Sequence, residues 1–113
     1  MRAVERASRE RAIAVSAISA WEIGMLANKG RIAVEESPAA YIRALFARAD
    51  IIEAPVSAGI AELAARLPGA FHGDPADRII TATAATLGCR LATRDDRILG
   101  YAQSTHFISV VAA

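Results

Sequence analysis

Short apolar runs alternate with well-punctuated helical segments from one end of this chain to the other, and that alternation constrains the fold more than any other feature. Ile13-Ala14-Val15, Asp50–Glu53, Cys89–Thr93 and His106–Val111 read as strands. They are largely apolar on both faces, as strands of a covered sheet are. Between them lie helix signals. Ser16 opens a helix that should run to about Asn28 and stop at Gly30, and Ser19-Ala20-Trp21-Glu22 fits a capping box. Ser37-Pro38 starts a helix to about Ala49, and Ser57 caps another that ends at Pro68-Gly69. Asp74-Pro75 starts a helix ending at Gly88, and Asp95-Asp96 begins a short helical turn to Tyr101. Residues 2–12 read as an amphipathic helix, with Arg31 to Glu36 as a connection. The pattern predicts an α/β domain with a mostly parallel sheet, whose ligands sit at the carboxyl ends of strands near a topological switch point.

At 113 residues the chain is expected to form a single domain, residues 1–113, with no internal repeat or linker. About a quarter of it is alanine and only 5% is aromatic, so the core must be built from Ala, Leu, Ile and Val at close spacing. Thirteen basic residues balance 12 acidic ones, so any nucleic-acid binding must come from local patches rather than bulk charge. One cysteine, Cys89, excludes an intramolecular disulfide and suits a reducing, cytoplasmic setting. The apolar run Ala12–Ala27 falls short of the roughly 18–20 residues a membrane helix needs, and it contains Glu22. No membrane partner is expected.

Five acidic residues stand where chemistry is expected. Asp95 and Asp96 follow the strand Leu91-Ala92; Asp74 and Asp77 open the helix before it; Glu22 lies inside an otherwise apolar helix. Carboxylates gathered in one cleft repel one another unless a cation neutralises them, and Mg²⁺ or Mn²⁺ suits such oxygen ligands. Each also has a structural reading: Asp74 as a cap, Asp77 as a favourable charge on a helix start, Glu22 as half of a capping box, Asp95 and Asp96 as a turn.

Three segments, Val15–Ile23, His72–Ile80 and Leu91–Asp95, occur in an order and at separations that resemble the PIN-domain ribonuclease toxins of the VapC type. The Ser-Ala-Trp-Glu-Ile block, the Asp-Pro-x-Asp-Arg helix start and the Thr-x-Asp strand end bear the resemblance. It implies a three-layer α/β/α PIN-like domain that uses Mg²⁺ or Mn²⁺ to cleave RNA, leaving a 5′-phosphate and a 3′-hydroxyl. Carried over by position, Glu22, Asp77 and Asp95 are the catalytic and metal-binding residues. Thr93, Asp96 and Asp74 are supporting candidates, and Arg78 and Arg94 are candidates for RNA contact. The resemblance also implies a cognate antitoxin, an RNA substrate and a homodimer.

Such domains begin with an apolar strand ending in an aspartate, and that strand is expected to be missing here. The alternative is therefore a catalytically impaired remnant that only binds antitoxin or dimerises. A third reading makes every acidic residue a cap or a turn. Among other single residues, Trp21 reads as core or dimer interface and Cys89 as a small buried hydrophobe. His72 reads as a surface or capping-region residue, and His106 as the start of the last strand. Arg2, Arg6 and Arg9 share one solvated helix face.

Overall fold

The computed structural model describes residues 3–5, 13–30, 37–71 and 73–112. Its elements are β1 (Ala3–Glu5), β2 (Ile13–Ser16), α1 (Ile18–Asn28), α2 (Pro38–Phe46), β3 (Ile51–Ala54), α3 (Ala58–Ala65), α4 (Pro75–Leu87), β4 (Arg90–Thr93), α5 (Asp96–Thr105) and β5 (Ser109–Ala112). One five-stranded sheet runs in the order β3-β2-β1-β4-β5. The outer pairs, β2 with β3 and β4 with β5, are parallel. β1 is antiparallel to both of its neighbours, so the other four strands point one way. With its helices the sheet forms the three-layer α/β/α arrangement expected.

β1 corrects one expectation. Residues 3–5 are a strand rather than part of a helix over 2–12, and they lie antiparallel in the central slot of the sheet, without the aspartate that ends the strand expected to be missing. Val4 pairs with Ala14 on one side and Leu91 on the other. The physical reason is long-range. Two inner sheet edges present backbone donors and acceptors that need partners away from water, and a strand satisfies both edges where a helix satisfies neither. The rest of the expected first helix, the Arg31–Glu36 connection and His72 lie outside the described residues.

The helix starts follow local chemistry. Ser37 Oγ accepts from the Ala40 amide, Ser57 Oγ from Ile60 and Asp74 Oδ1 from Asp77, with Pro38 and Pro75 at first helical positions. Gly88 closes α4 in the left-handed region at φ 64°. α1 differs from expectation: it begins at Ile18 after an Ala17 N-cap with no side-chain cap, and Ser16 Oγ accepts from the Ile18 amide. Ser19 is therefore inside the helix and buried, so the Ser19–Glu22 capping box does not form. The last turn of the chain differs too. α5 runs on to Thr105, and His106 is its left-handed C-cap at φ 56°, three residues before β5.

The core is aliphatic and small, as the composition requires. Ala14, Ile60, Ala64, Ile80, Ala82, Ala84, Leu91 and Ile98 pack with Tyr101 and Cys89, the last a buried small side chain as expected. Trp21 is more than half exposed, so it is not part of this core. Among the described residues, no helix is long and apolar enough to cross a membrane.

Candidate active site

From β2 the chain proceeds to β3 on one side of the sheet, and from β4 to β5 on the other. The carboxyl ends of β2 and β4 thus flank the switch point at which ligands of such sheets bind. Buried polar side chains belong to these strands and to helices packed on the sheet: Ser16 and Ser19 at β2 and α1, Asp77 and Thr81 on α4, and Thr93 at β4. Among the described residues, Ser19 Oγ and Thr81 Oγ1 find no hydrogen-bond partner. Buried polar groups are normally satisfied, so these two hydroxyls set this region apart from the aliphatic core.

Asp77 is the most buried charge described here, with its side chain 1% exposed. It sits in the first turn of α4, where Asp74 Oδ1 accepts its amide N–H at 2.9 Å. Asp95 is reached from the other side. Thr93 Oγ1 accepts the Asp95 amide at 3.0 Å, and Asp95 Oδ1 caps α5 by accepting the Arg97 amide at 2.9 Å. The two carboxylates meet at one atom. Arg97 Nη2 donates to Asp95 Oδ2 at 3.1 Å and to Asp77 Oδ2 at 3.5 Å, and Arg97 Nε donates to Asp95 Oδ1 at 3.3 Å. The hydrogen bond and charge of Asp95, with a further contribution from the charge of Asp74, hold the Arg97 guanidinium even more firmly protonated than usual.

The other sequence candidates fall around this pair. Glu22 is partly buried on α1, which packs against α4. Asp74 is exposed and serves as the α4 cap, as its bland reading had it. Asp96 and Arg94 are exposed. Arg78 has a structural use. Its Nε, Nη1 and Nη2 donate to the carbonyls of Ala64, Phe71 and Ala65, and its guanidinium lies 5.6 Å from the centre of the Phe71 ring. Two of those carbonyls are the unpaired end of α3, so Arg78 ties α3 to α4.

Two residues of the site escaped sequence reasoning. One is Arg97, whose only sequence signal is an arginine two positions after a helix-capping aspartate. The other is Gly73. A Cβ there would stand 2.8 Å from Asp77 Cβ and overlap the Phe71 ring, so only glycine lets this loop pass the aspartate.

Two carboxylates converging on one cationic group are donors of the kind a hard divalent cation takes, so the chemistry of the set fits Mg²⁺ or Mn²⁺. Among the described residues, no three His, Cys, Asp or Glu side chains gather closely enough to hold a metal ion.

Sequence comparison agrees with the geometry. The family model of the PIN domain matches residues 1–103. Ribonuclease VapC22 of Mycobacterium tuberculosis is 37% identical over 86 residues, which take in 76% of this chain and 65% of that protein. The chain thus spans just under two thirds of the length of the relative it matches. No solved structure matches it. Sheet, switch-point acidic residues and matched sequence point the same way: the chain belongs to the PIN domain family and resembles its VapC-type members.

Proposed function

We propose that the protein is a Mg²⁺- or Mn²⁺-dependent endoribonuclease, the toxin of a type II toxin–antitoxin pair. One observation supports this most: a buried aspartate of α4 and the aspartate after β4 meet at a single cationic group beside the switch point. The name of the similar ribonuclease supports the same reading. Glu22, Asp77 and Asp95 would hold the metal. The chemistry such a cation would supply is polarisation of the phosphodiester and activation of a water nucleophile. The chain's own residues position this chemistry. Asp74 fixes the backbone of Asp77, and Thr93 fixes that of Asp95, so both carboxylates start from rigid elements. Arg94, and Arg78 with the donors its carbonyls leave over, are the proposed contacts to RNA phosphates. Asp96 is a supporting carboxylate. We place the protein in the cytoplasm as a homodimer held in check by an antitoxin, with residues 1–113 forming one domain.

The test is cleavage of RNA by the purified protein with Mg²⁺ or Mn²⁺. Cleavage that stops with chelator and in Asp95→Asn supports the proposal; folded protein that leaves RNA intact with both metals defeats it. The absence of a three-ligand group among the described residues favours a second reading, a remnant that binds antitoxin or dimerises without cutting. Calorimetric titration with Mn²⁺ separates the two, since the remnant gives no binding heat.

A further inference from the structure

We infer that Arg97 is the resident counter-ion of the acidic site and that it must leave Asp77 and Asp95 before they can serve as metal ligands. The inference rests on the nuclease reading and deepens it. One guanidinium occupies oxygen lone pairs of both carboxylates, at 3.1 and 3.5 Å through Nη2 and at 3.3 Å through Nε. A divalent cation takes oxygen lone pairs of the same two carboxylates, and two cations a few ångströms apart repel strongly where one wall of the site is buried. The two occupants therefore compete.

The fold gives Arg97 somewhere to go. Its backbone is pinned in the first turn of α5, but its side chain is 56% exposed. It borders a cleft of about 260 Å³ lined also by Asp96, Gly100, Tyr101 and Ser104. Asp96 offers a second carboxylate on that wall. Release from Asp77 and Asp95 thus exchanges one anionic surrounding for another rather than stranding the charge. In the metal-free protein the arginine lowers the repulsion between two aspartates; in the loaded protein it sits at the rim.

Mn²⁺ titration of the whole chain by calorimetry, comparing wild type with Arg97→Gln and Arg94→Gln, tests this. Arg97→Gln should bind Mn²⁺ about three- to fivefold more tightly, the range of one partly exposed ion pair, with a smaller gain in Arg94→Gln. The Nε–H resonance of Arg97, identified by its loss in Arg97→Gln, should shift on titration with Mg²⁺. Equal affinities in wild type and Arg97→Gln, or an equal gain in Arg94→Gln, overturn the inference while wild-type binding leaves the nuclease reading standing. An Nε–H resonance that ignores saturating Mg²⁺ overturns it independently. No Mn²⁺ binding by any of the three proteins at millimolar concentration overturns the metal reading and the inference with it.

Discussion

Asp77 Oδ2 lies 3.5 Å from Nη2 of Arg97, and the two side chains differ sharply in exposure, 1% for the aspartate and 56% for the arginine. A buried carboxylate that looks out onto a solvent-facing cation is arranged for exchange of that cation more than for stability. Function and stability should therefore respond in opposite ways to its removal. Asp77→Asn keeps the shape and deletes the buried charge. RNA cleavage should fall by at least about 100-fold, the upper end of what loss of a group supporting a metal ligand costs. The Tm of metal-free protein should hold or rise. Arg97→Gln takes a cation from the buried charge and should lower the metal-free Tm, and Asp77→Asn in the same chain should restore it. Thermal melts of the three variants in chelator check this; a Tm for Asp77→Asn below that of Arg97→Gln contradicts it.

Gly73 protects the same aspartate from a steric side. Its added Cβ would approach Asp77 Cβ to 2.8 Å and collide with Phe71. Gly73→Ala should destabilise the fold by about 1–3 kcal/mol, as overpacking does. The sharper expectation concerns the site: cleavage should fall more than the loss of folded protein explains, because Asp77 itself is displaced. Activity per folded molecule, normalised by circular dichroism, reads this directly. Full specific activity in the folded fraction rules the idea out.

The features legible in the sequence are those whose causes lie within a few residues. Ser37-Pro38, Ser57 and Asp74-Pro75 were readable as helix starts because each cap bonds an amide three residues on. Gly88 was readable because a left-handed C-cap favours glycine. The failures are long-range. Nothing in Ala3-Val4-Glu5 marks a strand; the unpaired edges of β2 and β4 make it one. The Ser19–Glu22 capping box is a good local signal, but the helix starts at Ile18 and Ser19 is already inside it. Arg97 meets Asp77 across twenty residues of chain, a pairing that only the fold creates.

Arg78 was a candidate for RNA contact, and its three carbonyl partners give it a measurable structural weight. Arg78→Ala should cost about 2 kcal/mol in chemical denaturation, the scale of hydrogen bonds made by a charged group. Arg78→Lys should recover little of it, since one ammonium cannot span the carbonyls of Ala64, Ala65 and Phe71. Mn²⁺ affinity should stay near wild type in both. An Arg78→Ala protein as stable as wild type would show that α3 and α4 hold together without this tie.

Tyr101 supplies a pH-dependent expectation. Its hydroxyl donates to the Pro68 carbonyl at 2.5 Å, and its ring meets Phe71 edge-on at 4.9 Å between centroids. Burial raises its pKa above the ordinary 10.0, against smaller opposing effects of Thr105 and the charge of Arg78. The sign follows from linkage. With a folded pKa above the unfolded one, the neutral tyrosine's contribution is whole below pH 10 and is lost as pH climbs through the folded value, because the unfolded chain ionises first. Tyr101→Phe removes the hydrogen bond and the titration together. At neutral pH it should be about 1 kcal/mol less stable than wild type. That gap should shrink in urea melts taken from about pH 8 to about pH 11. Tyr41 is exposed and present in both proteins, so it cancels from the difference. A gap that stays constant through this range would mean that Tyr101 ionises as easily folded as unfolded, which its 4% exposure argues against.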